Sequence, residues 1–251
     1  MTHYQIPVTN YESAANQLMT ASIIAIDGPV ASGKSSIGKR LADRLGYLFF
    51  DTGVMYRAVT FLALRQLGSA QDATAVTALA RQAHIDIFPP TVADGRDSTI
   101  LAGFGAPAAG AEAHEDITWA SRGKDVENNV SLVAAVPEVR AILTEQMRRV
   151  GLRGRVVMVG RDVGTVILPE AGLKIFLTAS AETRAQRRFE EVAGRGEARD
   201  RDDILANLRE RDRIDSSRAV APLRPAPDAI VLDTTDLSLD QVLDRIQALV
   251  G

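Results

Sequence analysis

The stretch SIIAIDGPVASGKSS (Ser22–Ser36) decides the fold. Its first six residues form a short β-branched run that ends at Gly28-Pro29, the pattern of a buried strand. Gly28, Pro29, Val30, Ala31, Ser32, Gly33, Lys34 and Ser35 then fit, position for position, a glycine, four free residues, Gly-Lys and a Ser or Thr. Ile37, Leu41 and Leu45 follow at fourfold spacing and Gly46 closes the run, which predicts an amphipathic helix. Strand, glycine loop and helix together make a phosphate cradle. Glycine lets successive N–H groups turn inward, and the helix adds the positive end of its dipole. Lys34 can reach the outer phosphates of a nucleotide, and the Ser35 hydroxyl can ligate Mg²⁺.

Downstream, the strand–helix alternation continues. YLFF ends in Asp51, and a helix is expected from about Val54 to Leu67. Asp72 is a good N-cap for a helix over Ala73–Ala83. From Pro137 the segment PEVRAILTEQMRRV predicts a helix that opens on proline. VVMV (Val156–Val159), KIFL (Lys174–Leu177) and AIVLD (Ala229–Asp233) read as strands. Ala181–Val192, Asp202–Ser217 and Ser238–Leu249 read as helices, with GRGEARD a mobile loop between the first two. The expected fold class is α/β: a P-loop NTPase fold whose parallel sheet is covered by helices on both faces. Between these blocks, IDIF, Pro89-Pro90 and the Gly/Ala-rich tract Leu101–Ala113 suggest short strands and loops, an insertion over about 84–135. The expected division is an N-terminal extension (1–21) and a kinase domain (22–251), with core 22–83 and 136–251 and a lid of about 188–205.

Composition removes several alternatives. The chain has 251 residues, 46% of them apolar, which is enough for a real core. It contains no cysteine, so disulfides, zinc-thiolate sites, iron–sulfur clusters and a cysteine nucleophile are excluded. Three scattered histidines (His3, His84, His114) make no metal centre. A net charge of -3 does not suit a general nucleic-acid binder. Apolar runs fall short of the ~18 residues of a membrane span, and the N-terminus lacks the pattern of a secretory signal. A cytoplasmic protein is expected. Of 29 cations, 25 are arginine. Codon bias explains that excess as readily as phosphate binding does, so position has to decide. Trp119, the one tryptophan, is expected to pack.

A phosphate loop does not name the acceptor, but charges beyond the strand ends narrow it, because ligands of such sheets sit there. Asp51 and Arg57 follow YLFF, and Arg161-Asp162 follows VVMV. Arg211, Asp215 and Arg218 are spaced to share one helix face, although an exposed helix laced with ion pairs would show the same pattern.

These motifs together resemble the bacterial-type cytidylate kinases. The resemblance is carried by IAIDGPVASGKSS, FDTGVMYRA, EDITWASRGKDVENNVSLVAAVPEVR, VGRDVGTVILPEAGLKIFLTASAETRAQRR and RERDRIDSSRAVAPLRPAPDAIVLDTT, in that order. It runs from about Ser22 to the C-terminus, interrupted mainly over 88–113, and implies transfer of a phosphoryl group from ATP, with Mg²⁺, to CMP or dCMP by a monomer. It further implies that Gly28 to Ser36 hold the ATP phosphates and that Arg57, Arg161 and Arg218 hold the acceptor's phosphate. Arg211 and Asp215 would contact its sugar; Thr52, Tyr56, Ser131, Arg140 and Asp162 would line the cytosine pocket. Lys34, Arg161 and one of Arg187 and Arg188 would act on the transferring group. Three departures stand out, one being a Gly/Ala-rich tract (Leu101–Ala113) longer than the family's. Val159 occupies a position that is commonly acidic in the family, so Asp162 or a water is expected to compensate. Ile214 replaces an arginine of some relatives. The remaining readings are a same-fold kinase with a hydroxyl acceptor and a P-loop protein that binds nucleotide without transferring anything.

Overall fold

A computed structural model of the protein describes residues 21–88, 98–102 and 114–250. The extension before Ala21 and the Gly/Ala-rich tract beyond Ala102 lie outside the described residues. The helical elements are α1 (Lys34–Leu45), α2 (Gly53–Leu67), α3 (Ala73–Gln82), α4 (Lys124–Ala135), α5 (Pro137–Gly151), α6 (Ala181–Ala193), α7 (Arg201–Ser217) and α8 (Leu239–Val250). The strands are β1 (Ile23–Asp27), β2 (Leu48–Asp51), β3 (His84–Phe88), β4 (Ser98–Ala102), β5 (His114–Asp116), β6 (Val156–Gly160), β7 (Leu173–Thr178) and β8 (Ile230–Asp233).

Five strands form one sheet in the order β2-β6-β1-β7-β8, with every pairing parallel. The expected class is therefore correct. Central strands of such a sheet are buried on both faces, and the side-chain period of two divides their residues between two cores. Ala25, Val156 and Met158 join the cluster under α2, α3 and α5. Ile24, Ile26, Val157 and Val159 join the other, with Ile37 and Leu41 of α1 and Val242 and Ile246 of α8. On that second face α1 comes very close to β6. A Cβ added at Gly38 would stand 2.5 Å from a Val159 methyl.

The inserted region contains a three-stranded antiparallel sheet, β3-β4-β5. It also contains α4, a 12-residue helix in a stretch expected to be irregular. Its signal is present as Val126, Val130, Val133 and Ala134, all buried at helical spacing. Trp119 is 51% exposed rather than packed. It stands at the start of a short 3-10 turn (Ala120–Arg122), outside the core strands and helices. Asp72 caps α3 by accepting from the Ala75 N–H, and Pro137 opens α5, as expected.

Candidate functional site

At the carboxyl ends of β1, β2 and β6 lies a cleft of about 1120 Å³. One wall is the loop from Gly28 to Gly33. Gly28 has φ 154°, and a Cβ there would meet the Leu177 carbonyl oxygen of β7 at 2.1 Å, so only glycine fits. Gly33 caps α1 at φ 92° with no side-chain cap, which leaves the first helical N–H groups for an anion. Lys34 is buried, and its Nζ donates to the Pro29 carbonyl at 2.8 Å. Burial and the neighbouring Arg161 guanidinium both push the Lys34 ammonium well below its ordinary pKa, an unfavourable state that a phosphate would relieve. The Ser35 hydroxyl donates to an Asp51 carboxylate oxygen at 2.8 Å, and the other oxygen accepts from the Gly53 N–H at 2.9 Å.

Opposite stands a wall of arginines. Arg161, just past β6, donates through Nε to Asp215 at 2.9 Å and through one terminal nitrogen to the Gly28 carbonyl at 3.1 Å. Arg211 and Asp215 from α7, with Arg218 at its end, are 5%, 4% and 8% exposed. They share a buried face, as their spacing allows; the exposed ion pairs of α7, Arg209–Glu182 and Arg213–Glu210, occupy the other. Burial, together with the charges of Arg57 and Arg161, lowers the Arg211 guanidinium to about 9. Burial likewise brings Arg57 down to about 10. Both stay cationic at neutral pH. One terminal nitrogen of Arg218 and the Nε atoms of Arg188 and Arg211 are buried without a hydrogen-bond partner. Orphaned donors of this kind are exceptional and mark a place for an acceptor.

Arg140 of α5 and Asp162 form a buried ion pair, and Arg140 also donates to the Ala134 carbonyl at 3.1 Å. Its guanidinium lies 5.4 Å over the Tyr56 ring. Thr52 donates to the Val159 carbonyl at 2.9 Å, and Ser131 lines the same end of the cleft. Of the residues singled out in the sequence, all line the cleft except Gly28 and Pro29, which shape the loop from behind. Arg187 is held by Thr234, donating to its hydroxyl at 3.0 Å. Arg188 is held by Glu127 and Glu191.

Three acids prove central: Asp51, already noted beyond YLFF, and two that sequence reasoning missed. Asp51 is bonded to Ser35 as described. Asp27, at the end of β1, accepts from the N–H groups of Val163 and Gly164, both at 2.8 Å. That contact fixes the turn after Asp162 to the strand carrying the phosphate loop. Burial raises the Asp27 carboxyl to about 6. The third is Glu127 of α4, which lies among Arg188, Arg199 and Arg211. Its signal in the sequence is a carboxylate in a run with buried apolar neighbours. Val159, in the commonly acidic position, is fully buried against α1.

A glycine-rich loop between the central strand and the first helix of a parallel sheet, facing clustered arginines across a cleft, defines a P-loop kinase. The family description "Cytidylate kinase" matches residues 24–251. The chain is 46% identical over 234 residues to a cytidylate kinase of Herpetosiphon aurantiacus, covering 93% of this chain and 96% of that protein. It is 48% identical over 209 residues to one from Chloroflexus aggregans, covering 83% and 85%. For one from Streptococcus equi subsp. equi the figures are 44% over 229 residues, 91% and 96%. This chain belongs to the cytidylate kinase family.

Proposed function

We propose that the protein transfers the γ-phosphoryl group of ATP to CMP or dCMP, giving ADP and CDP or dCDP. The observation that carries this reading is the state of the carboxylates in the cleft. Asp51 is bonded to Ser35, Asp162 to Arg140, Asp215 to Arg161, and Glu127 to three arginines. None of these four stands free to take a proton from a hydroxyl acceptor, and the exposed Asp43, Glu190 and Glu191 are held by Lys39, Gln186 and Arg188. A nucleoside monophosphate needs no such base, since its second pKa is near ~6 and its attacking oxygen is already anionic at neutral pH. The obstacle is then repulsion between two anionic phosphates, and fixed cations relieve it.

In this reading the loop from Gly28 to Ser36 holds the ATP phosphates, and Lys34 leaves the Pro29 carbonyl to reach them. Arg57, Arg161 and Arg218 grip the acceptor's phosphate, while Arg211 and Asp215 hold its sugar. Thr52, Tyr56, Ser131, Arg140 and Asp162 form the base pocket. Guanidinium and hydroxyl donors beside a carboxylate acceptor match the O2/N3 edge and the amino group of cytosine. Residues 84–135 embrace the monophosphate, and the lid of about 188–205 closes to exclude water, bringing Arg187 or Arg188 to the transferring group.

The hydroxyl of Ser35 and the carboxylate of Asp51 are a hard, oxygen-only donor pair. Such a pair suits Mg²⁺, which takes one or two protein oxygens and shares the rest of its shell with phosphates and water. When bound there, Mg²⁺ neutralises phosphate charge. No helix among the described residues is long and apolar enough to cross a membrane. We read the enzyme as a monomer, and its small-molecule substrates suit the cytoplasm.

A coupled assay with ATP and Mg²⁺ against CMP, dCMP, UMP, AMP and a polyol acid tests this reading. CMP and dCMP should be turned over best. Equal or better turnover of AMP would refute the base pocket, and turnover of the polyol acid would refute the acceptor class.

A further inference from the structure

Glu127 is 3% exposed, and among the described residues its carboxylate is held by guanidiniums rather than by a backbone group or hydroxyl. Its partners are guanidiniums from three places. Arg188 on α6 donates to both carboxylate oxygens, at 3.0 and 3.1 Å. Arg199, in the loop between α6 and α7, donates at 2.8 Å, and Arg211 on α7 stands at 3.5 Å. Arg57 lies close enough to feel its charge. Glu191 also pairs with Arg188 at 2.8 Å and Glu197 stands 3.9 Å from Arg199, but Glu127 is the carboxylate that all three guanidiniums share. The Nε atoms of Arg188 and Arg211 remain without acceptors. These carboxylates do not saturate the cluster. A phosphate chain could, because each phosphate group offers several charged acceptor oxygens.

We propose that Glu127 is a positioning residue that acts as an internal anion, holding Arg188, Arg199 and Arg211 together until substrate phosphates displace it. This rests on the kinase reading of the cleft and adds to it a competitor for the phosphates. The carboxylate keeps the arginines converged, so they need not be ordered when substrate arrives. It also raises the demand on any anion that would capture them, so a small, isolated anion is at a disadvantage against two nucleotides that arrive together. Because Glu127 sits on the inserted α4 while Arg188 and Arg199 flank the lid loop, the same bond ties insert to lid. Release of the bond by phosphate then frees the lid to close.

The test measures inorganic pyrophosphate binding to the full chain by calorimetry, without nucleotide. Glu127→Gln removes the competitor and should tighten pyrophosphate by roughly tenfold, the scale of one charge-assisted hydrogen bond. Arg199→Gln removes one receiver and should weaken it by roughly tenfold. A purely structural role would weaken both variants alike. Unchanged or weaker binding in a folded E127Q protein overturns the proposal, as does unchanged or tighter binding in R199Q. Should E127Q be unstable alone, pyrophosphate must raise its melting temperature more than it raises that of the native chain; an equal or smaller rise also overturns it. None of these readings involves CMP, so an internal anion that fails here leaves the acceptor assignment to its own assay.

Discussion

Asp162→Ala probes the buried pair that shapes one end of the cleft. Arg140 and Asp162 are each 3% exposed and face one another, so loss of the carboxylate strands a guanidinium that retains the Ala134 carbonyl as its hydrogen-bonded acceptor. Breaking such a pair from one side costs about 3–5 kcal/mol, and the adjoining cleft lets water soften this to about 3 kcal/mol. Arg140→Met should cost about the same, by stranding the carboxylate instead. The double variant removes both charges and fills part of the space with an apolar chain. It should lose only about 2 kcal/mol, far less than the two single effects added together. Denaturant unfolding at neutral pH without nucleotide measures all three. Additivity within about 0.5 kcal/mol would refute the claim that the two groups depend on each other. In the kinase assay, Asp162→Ala should raise KM for CMP and leave KM for ATP unchanged.

The remaining predictions concern the loop, the sheet contact, the arginine cluster and pH. Lys34→Ala should abolish transfer with the fold intact by circular dichroism, whereas Arg218→Ala should raise KM for the monophosphate and lower kcat in steady-state kinetics. Gly38→Ala forces a Cβ to 2.5 Å from Val159, and overpacking of this kind costs about 1–3 kcal/mol; denaturant unfolding in a Val159→Ala background should recover most of it. Burial alone would raise the Glu127 carboxyl, but Arg188, Arg211 and Arg199 bring it from 4.5 down to about 2. Its contribution, on the order of 3 kcal/mol, is therefore complete above pH 4.5 and lost as pH falls through 2; acid unfolding of Glu127→Gln should lack that loss. Asp27 has the opposite sign. Its carboxyl is raised from 3.8 to about 6, so stability is greatest below 3.8 and declines as pH rises through 6, a slope that Asp27→Asn should flatten in melting-temperature titrations.

What the sequence reveals depends on how local each feature is. The phosphate loop needs only eight consecutive residues and their flanks, and it folds as read. The parallel strands are short apolar runs whose burial on both faces leaves a plain mark in VVMV and IIAI. The buried face of α7 is half legible: spacing puts Arg211, Asp215 and Arg218 together, but spacing alone does not say whether they face the cleft or water. Glu127 is illegible for a clear reason. Its partners lie 61, 72 and 84 positions away, so no window of sequence contains the cluster. Asp27 is hidden likewise, its two amide donors being 136 and 137 positions along the chain. The helix α4 is different, since its apolar spacing is present but diluted by Asn128, Asn129 and Ser131. Trp119 shows that a lone large side chain does not fix its own burial.

The helix α7 has one more consequence. Its first turn is capped by Asp200, and its last turn brings Asp215 and Arg218 to the arginine wall of the cleft. Seventeen residues at 1.5 Å each make a stiff strut of roughly 25 Å. Such a strut keeps a fixed distance between the residues at its two ends. The two ends of the cleft are therefore tied together by one stiff element rather than by separate loops.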